Sequence, residues 1–207
     1  MSYRPPTVRE VFASRSLYGL HGLQFIPRAL PDSGPLAVTM CVRYMGAEAH
    51  EAQVGDSLGT APPGGIPASE IMRYVSGRGI RCTGWRHTPF RFILERIKQQ
   101  RPTLLAWPGH KGPWIIPCGY EPDMQVLVFA DPERGGFYTD TLANAEATWE
   151  GQIENRTQTR VALTFDRVSE TTVGHKAPLN RRTFKIQSFV HTTRERNRAA
   201  AIPNQDD

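Results

Sequence analysis

Apolar residues recur at helical spacing in several stretches of the first 150 residues. The clearest stretch runs from Ser33 to Gly46, where few positions are polar. Asp32 and Ser33 are residue types that cap helix N-termini, Pro35 suits a first helical turn, and Gly46 suits a stop. The pattern predicts a helix that is buried on nearly all sides and begins at Ser33.

The rest of the chain changes from helical to strand periodicity near residue 100. The run 55–65 is rich in turn residues and predicts a loop. Helices are predicted over 67–77 or 67–79, over 88–101 and over 142–149, and strands over 23–26, 80–85, 103–107, 114–120, 125–130, 137–138 and 159–165. Short turns at 122–123 and 133–136 predict antiparallel neighbours. Helices first and strands afterwards indicate an α+β domain.

Pro117 lies inside one of these predicted strands, 114–120. Proline has no N–H to donate to a sheet. The sequence therefore predicts that this strand is either at a sheet edge or bulged at Pro117.

Charge divides the chain into three parts. The formal charge of +5 comes from 25 basic and 20 acidic residues, with +3 in residues 1–30, −1 in 31–165 and +3 in 166–207. The ends lack a periodic apolar face, although 184–190 has the apolar content of a short strand or helix. We predict an N-terminal extension over 1–21, a domain over 22–165 and a basic C-terminal extension over 166–207. Such ends are expected to dock on a protein partner or on further copies of the chain.

Several classes of function are not favoured by the composition. Of the 25 basic residues 21 are Arg, but no basic motif with interleaved aromatic residues is present, which argues against nucleic-acid binding as the main function. The three cysteines have no C-x-x-C spacing, so we expect reduced thiols, no metal and no cofactor. Cys82, His87 and Cys118 have the chemistry of metal ligands, but their spacing favours packing and surface roles.

The N-terminus has no apolar signal-peptide core, and no run of about 18 apolar residues occurs. We expect a soluble protein without a membrane span, either cytoplasmic or incorporated in a larger assembly.

Six short motifs occur in an order that is typical of one family. They are Asp32-Ser33-Gly34-Pro35, Tyr44-Met45-Gly46, Gly112-Pro113-Trp114, Gly119-Tyr120, Ala130-Asp131-Pro132 and Trp149-Glu150-Gly151. In this order they resemble bacteriocin-processing cysteine peptidases that cut after double-glycine leaders, a branch of the papain-like fold. The resemblance covers about residues 22–165. It implies helices packed on an antiparallel sheet and a peptide-binding groove that includes Asp32, Gly34, His110 and Trp114.

The departures from that family fall on the catalytic positions. The resemblance implies a cysteine nucleophile, a histidine base, an aspartate that orients the base and a glutamine at the oxyanion site. In this sequence these positions hold Ser33, Pro113, Asp131 and Arg28. A serine hydroxyl depends on a base, because it has almost no alkoxide fraction near neutral pH. We therefore expect a pseudopeptidase that acts as a binding or structural module in a larger assembly, such as secretion machinery or a virus particle.

Two alternative interpretations remain open at this point. An active hydrolase would use Ser33, or Cys41 two turns further along the helix, with His110 as a non-standard base. In the simplest structural interpretation, Ser33 only caps its helix and Asp131 only stabilises a turn.

Overall fold

The fold is seen in a computed structural model, which describes residues 6–27, 33–59, 65–107, 114–149 and 160–167, and the backbone of 152–153, 156–157 and 187–188. In these residues the helices are α1 Val8–Phe12, α2 Ser33–Tyr44, α3 Glu51–Leu58, α4 Ala68–Ser76, α5 Phe90–Lys98 and α6 Leu142–Trp149. The strands are β1 Tyr18–Gly19, β2 Ile80–Arg86, β3 Thr103–Ala106, β4 Trp114–Glu121, β5 Val126–Asp131, β6 Gly136–Thr141, β7 Gln152–Ile153, β8 Arg156–Thr157, β9 Ala162–Arg167 and β10 Gln187–Ser188.

The main sheet has the strand order β10-β2-β9-β3-β4-β5-β6, and β1 pairs with β4. Its described strand pairs are antiparallel except β10 with β2, which is parallel. β9 lies between β2 and β3, although it follows both of them in the chain. The predicted α+β fold with helices packed on an antiparallel sheet is confirmed.

Two layers of apolar side chains cover the two faces of the sheet. One layer is built from α2, α3 and α4 together with β2, β4 and β5, and its buried members include Leu36, Met40 and Ile71. The other is built from α5 and α6 and includes Ile93, Phe129 and Trp149. Alternation along the strands places successive side chains in opposite layers.

The prediction for α2 is confirmed. Ser33 is its first residue, and the ten residues from Ser33 to Val42 are buried. Gly46 follows the helix with φ +83°, a left-handed conformation that glycine adopts at little cost. Helix α2 packs on β3 and β4 and forms the centre of its layer.

Pro117 lies at a β-bulge and not at an edge. Strand β4 pairs with β3, β1 and β5, and its register with β5 shifts between Pro117 and Gly119. The bulge interrupts the ladder of backbone hydrogen bonds at this point, so the sheet does not require an N–H group at Pro117. Of the two predicted possibilities, the bulge is the one that occurs.

Three predictions of secondary structure are wrong. Residues 23–26 form no strand, because Gly22 turns with φ +85° and the strand contact is made earlier by β1. The predicted loop 55–65 begins later, since α3 continues to Leu58 and buries Val54 and Leu58 one turn apart. The last long strand, predicted from residue 159 to 165, is instead β9, from Ala162 to Arg167.

The N-terminal segment packs on the domain itself. A capping box between Thr7 and Glu10 begins α1, and Val11 is fully buried. The Phe12 and Phe137 rings make an edge contact with 5.7 Å between centroids. The Ser14 hydroxyl donates to Glu121 Oε1 at 2.9 Å. Residues 6–21 are therefore held by contacts with the sheet.

Candidate functional site

Ser33 lies where the resemblance places a nucleophile, at the first residue of a buried helix. Ser33 is only 5% exposed, and Gly34 and Pro35 complete the first turn. Pro35 needs no hydrogen-bond partner for its nitrogen, and its carbonyl accepts from the Thr39 hydroxyl at 2.8 Å. The dipole of a helix favours negative charge at its N-terminal end, where Ser33 lies.

Trp114 and Asp131 lie at one end of the sheet. Strands β4 and β5 pair Ile116 with Ala130, so the first residue of β4 and the last residue of β5 are near each other. The Trp114 indole Nε1 donates to the Ile66 carbonyl at 2.9 Å. This bond ties the start of β4 to the segment that leads into α4.

The Asp131 carboxylate is fully buried and accepts hydrogen bonds from its own turn. Its Oδ1 accepts from the backbone N–H of Glu133 at 2.9 Å and of Arg134 at 3.3 Å. The Arg134 Nε lies 3.4 Å from Oδ2. This geometry is that of an Asx turn with an added ion pair, as expected if Asp131 stabilises the turn after β5.

The turn at Asp131 extends into an aromatic stack. The Arg134 guanidinium lies 4.0 Å from the centroid of the Tyr138 ring, which stacks on Phe129 at 5.1 Å. Burial raises the pKa of the Tyr138 phenol, and the Arg134 charge opposes this increase. The phenol is therefore neutral at physiological pH and has no charge to contribute at this end of the sheet.

Four of the predicted site residues, Arg28, Asp32, His110 and Pro113, lie outside the described residues. Their proposed positions relative to Ser33 and Asp131 stay predictions. Among the described residues, Ser33, Gly34, Trp114 and Asp131 are all buried.

Cys41 does not have the properties of a nucleophile. It is fully buried in α2, and burial raises the pKa of its thiol well above the ordinary value. A thiol attacks as the thiolate, which this site disfavours. The expectation that Cys41 is buried is confirmed.

No group of three or more metal-binding side chains is present in the part of the chain that the structure describes, and Cys82, His87 and Cys118 do not form one. None of the described helices is long and apolar enough to span a bilayer.

Two solved structures have a similar fold. One is a double-glycine motif protease from an AMS/PCAT transporter in complex with the leader peptide, with a TM-score of 0.53 and 16% identity over 70% of this chain and 91% of that one. The other is the peptidase domain of Streptococcus ComA, a bi-functional ABC transporter involved in a quorum sensing pathway, with a TM-score of 0.55 and 13% identity over 70% of this chain and 99% of that one. The chain has a peptidase-domain fold. No protein-family model and no curated protein matches the sequence.

At such low identity the peptidase-like fold is what these structures share with this chain. The match extends over nearly the whole of both peptidase domains.

The structure also contains a pocket that the sequence analysis does not predict. It is a pocket of about 730 Å³ at the other end of α2, and its lining includes Arg43, Tyr44, Arg81, Arg101, Asp166 and Arg167. The feature of the sequence that could have indicated this pocket is the excess of arginine over lysine. These arginines are far apart in the sequence and meet only in the folded chain, so the sequence pattern did not reveal the pocket.

Proposed function

We propose that this protein is a catalytically inactive member of the peptidase-like fold that binds a partner and does not cut it. The proposal rests on this fold together with the sequence resemblance, which assigns Ser33 to the position of the nucleophile and Pro113 to the position of the base. Proline has no side-chain group that accepts a proton, so Pro113 cannot serve as a general base.

The contacts of Asp131 support the same conclusion. In a catalytic triad the aspartate holds the histidine in one orientation and stabilises its charged form. Here the carboxylate accepts two backbone N–H groups of its own turn and lies beside the Arg134 guanidinium. These contacts stabilise the turn after β5, and this structural role of Asp131 does not require a histidine at position 113.

The partner is proposed to bind mainly through the C-terminal extension, 166–207. Residues 6–21 are already packed on the domain, for example through Phe12 and Ser14. The strand β10, which lies within the extension, pairs with β2 at the sheet edge. The extension therefore contacts the domain at its first residues, in β9, and again at β10. Its excess of arginine suits an acidic protein surface or a further copy of the chain.

A peptide in the groove beside Ser33 is the secondary binding mode that we propose. One structure of similar fold was solved with a leader peptide, which motivates a peptide as the ligand. A groove can keep peptide binding after the catalytic groups have been replaced, because binding and chemistry use different contacts.

Incubation with double-glycine leader peptides tests the loss of catalysis. We expect no cleavage by the full chain, followed by mass spectrometry, and no labelling of Ser33 by serine-directed probes. The Ser33→Ala variant is the matched control and should behave as the unchanged protein. Cleavage by the full chain that disappears in Ser33→Ala would instead establish a serine hydrolase, with His110 as the first candidate base.

A further inference from the structure

The arginine-lined pocket lies at the opposite end of α2 from Ser33. It is bounded by the last turn of α2, the residues after α5, the start of β2 and the end of β9. A helix rises about 1.5 Å per residue, so the two ends of this 12-residue helix are about 17 Å apart. The pocket is thus separate from the site beside Ser33.

Arginines enter the pocket from both faces of the sheet. Arg81 and Asp166 are paired across β2 and β9, so their side chains lie on one face. Arg167 is the next residue and points to the opposite face, toward α2. The pocket therefore surrounds the end of β9 and presents guanidinium groups from two directions.

The carboxylates near the pocket are already used by other arginines. Arg43 pairs with Glu51 at 3.1 Å. The single oxygen Oδ1 of Asp166 accepts from Arg96 at 2.7 Å and from Arg101 at 3.3 Å. Arg43, Arg96 and Arg101 thus pair with only two carboxylates, those of Glu51 and Asp166.

Arg81 and Arg167 have no carboxylate within ion-pair distance among the described residues, and both are exposed. Burial raises the pKa of the Tyr44 phenol, and the nearby positive charge of Arg167 opposes this increase. The pocket therefore has a local excess of about three positive charges, which repel one another at low ionic strength. A bound anion with two charges would remove most of this excess.

We propose that this pocket binds a phosphate-type dianion, either free or as the phosphate group of a small molecule, with Arg81 and Arg167 as its main ligands. A guanidinium donates two parallel hydrogen bonds to an oxyanion, and the oxygens of a tetrahedral phosphate point in several directions, so they accept from groups on opposite sides. The volume of about 730 Å³ exceeds what inorganic phosphate alone needs and falls within the range of small-molecule sites.

Calorimetric titration of the full chain tests the proposal. The probes are inorganic phosphate, adenosine monophosphate and malonate, at low and constant ionic strength, with adenosine as the uncharged counterpart. We expect both phosphate compounds to bind, malonate to bind more weakly and adenosine not to bind. Tighter binding of adenosine monophosphate than of inorganic phosphate identifies a phosphorylated small molecule as the ligand, and equal binding identifies free phosphate.

The variant Arg81→Gln/Arg167→Gln should weaken phosphate binding at least tenfold, since each arginine contributes charge-assisted hydrogen bonds. The matched control is Arg15→Gln/Arg91→Gln, which removes the same charge at two exposed arginines that do not line the pocket. It should bind within about twofold of the unchanged protein, because distant exposed charges are screened.

Three results would overturn the proposal. They are no phosphate binding at about 10 mM, equal binding by the double variant of Arg81 and Arg167, or malonate binding as tight as phosphate binding. None of these results depends on whether Ser33 is catalytically silent, so the two proposals fail separately.

Discussion

At the scale of single residues, the three cysteines show how burial controls their chemistry. The structure leaves all three unpaired by disulfides. Burial raises the pKa of Cys82 and of Cys118 to about 12, and the nearby Asp166 adds to the increase for Cys82. The Cys118 thiol donates to the Val128 carbonyl at 3.4 Å. The thiols therefore stay protonated over the physiological pH range.

We predict that the native thiols react slowly with a chromogenic disulfide reagent at mildly alkaline pH, because the thiolate is the reactive form. In denaturant all three cysteines should react quickly and in full. Cys41 and Cys118 are buried and Cys82 is half-buried. Fast labelling of two or more thiols in the native protein would therefore contradict this prediction.

The same shifts give a pH dependence of stability. The unfolded thiols ionise near pH 8.5, while folded Cys82 and Cys118 ionise near 12. Their contribution to the free energy of unfolding is thus complete below about 8.5 and is lost as the pH rises toward 12. Denaturant unfolding of the Cys82→Ala variant should show a weaker decrease over this range than the unchanged protein.

Restoration of the catalytic residues tests whether the peptidase-like geometry remains beside Ser33. We predict slow cleavage of a double-glycine leader peptide by Ser33→Cys/Pro113→His. The rate should stay low because the sequence resemblance assigns the oxyanion position to Arg28 in place of glutamine, and the loss of an oxyanion donor costs about two to three orders of magnitude. Ser33→Cys alone is the control, since it supplies a nucleophile without a base.

Circular dichroism should first confirm that the double variant is folded. A folded Ser33→Cys/Pro113→His protein without any cleavage would mean that positions 33 and 113 are not within reach of each other.

Ser33 and Asp131 also show what could be predicted at this scale. The helix start at Ser33 follows from local capping and turn preferences, which depend on adjacent residues. The contacts of Asp131 are local too, and the turn interpretation needed only its neighbours. Arg43, Arg81 and Arg167 belong to different elements, and no local pattern indicates that they line one pocket.

At the scale of elements, Gly119 allows β4 to pack closely against Val128 of β5 and against Leu17, the residue before β1. A Cβ atom at Gly119 would lie 3.2 Å from the Val128 side chain and 3.3 Å from Leu17. Val128 is fully buried in a central strand and has little room to move. We predict that Gly119→Ala lowers the free energy of unfolding by about 1–3 kcal/mol through overpacking, as measured by denaturant titration.

Gly136 provides the matched control for this substitution. It also lies in a strand, but nothing is within 4 Å of the position of its added Cβ. Gly136→Ala should be neutral or slightly stabilising, because alanine restricts the unfolded chain. Equal effects of the two substitutions would show that strand propensity, and not the close contact with Val128 and Leu17, determines stability at Gly119.

The elements that were predicted correctly have strong periodicity. Helices α2, α4 and α5 and the pair β4–β5 were identified because their apolar positions follow one period throughout. Helix α3 was missed because Gly55 and several polar residues interrupt its pattern and only Val54 and Leu58 are buried. Strand β1 has two residues, which is too short for any periodicity, and only its pairing with Gly119 and Tyr120 defines it.

At the scale of the whole molecule, the C-terminal extension is the part that is proposed to bind a partner. We predict that deletion of residues 170–207 abolishes partner binding or self-assembly, measured by light scattering and pull-down. The far-ultraviolet circular dichroism should remain, because β10 contributes only a two-residue pair with β2.

A chain that ends at residue 161 is the contrasting control, since it also lacks β9. It should lose the folded signal, because β2 and β3 would then have no common partner strand. If the chain that ends at residue 169 still assembles with unchanged affinity, the groove beside Ser33 becomes the site to study.

The position of β9 also has a consequence for the time course of biosynthesis. Strands β2 and β3 leave the ribosome well before β9, yet the edge of each strand that pairs with β9 stays unpaired until Thr164 and the residues around it have been translated. The nascent chain must therefore expose two unpaired strand edges while about sixty further residues are added. This delay lasts several seconds at ordinary elongation rates. Translation of Ala162–Arg167 is thus the event that allows β2 and β3 to join one sheet. Until then, their unpaired edges make the nascent chain a target for chaperones.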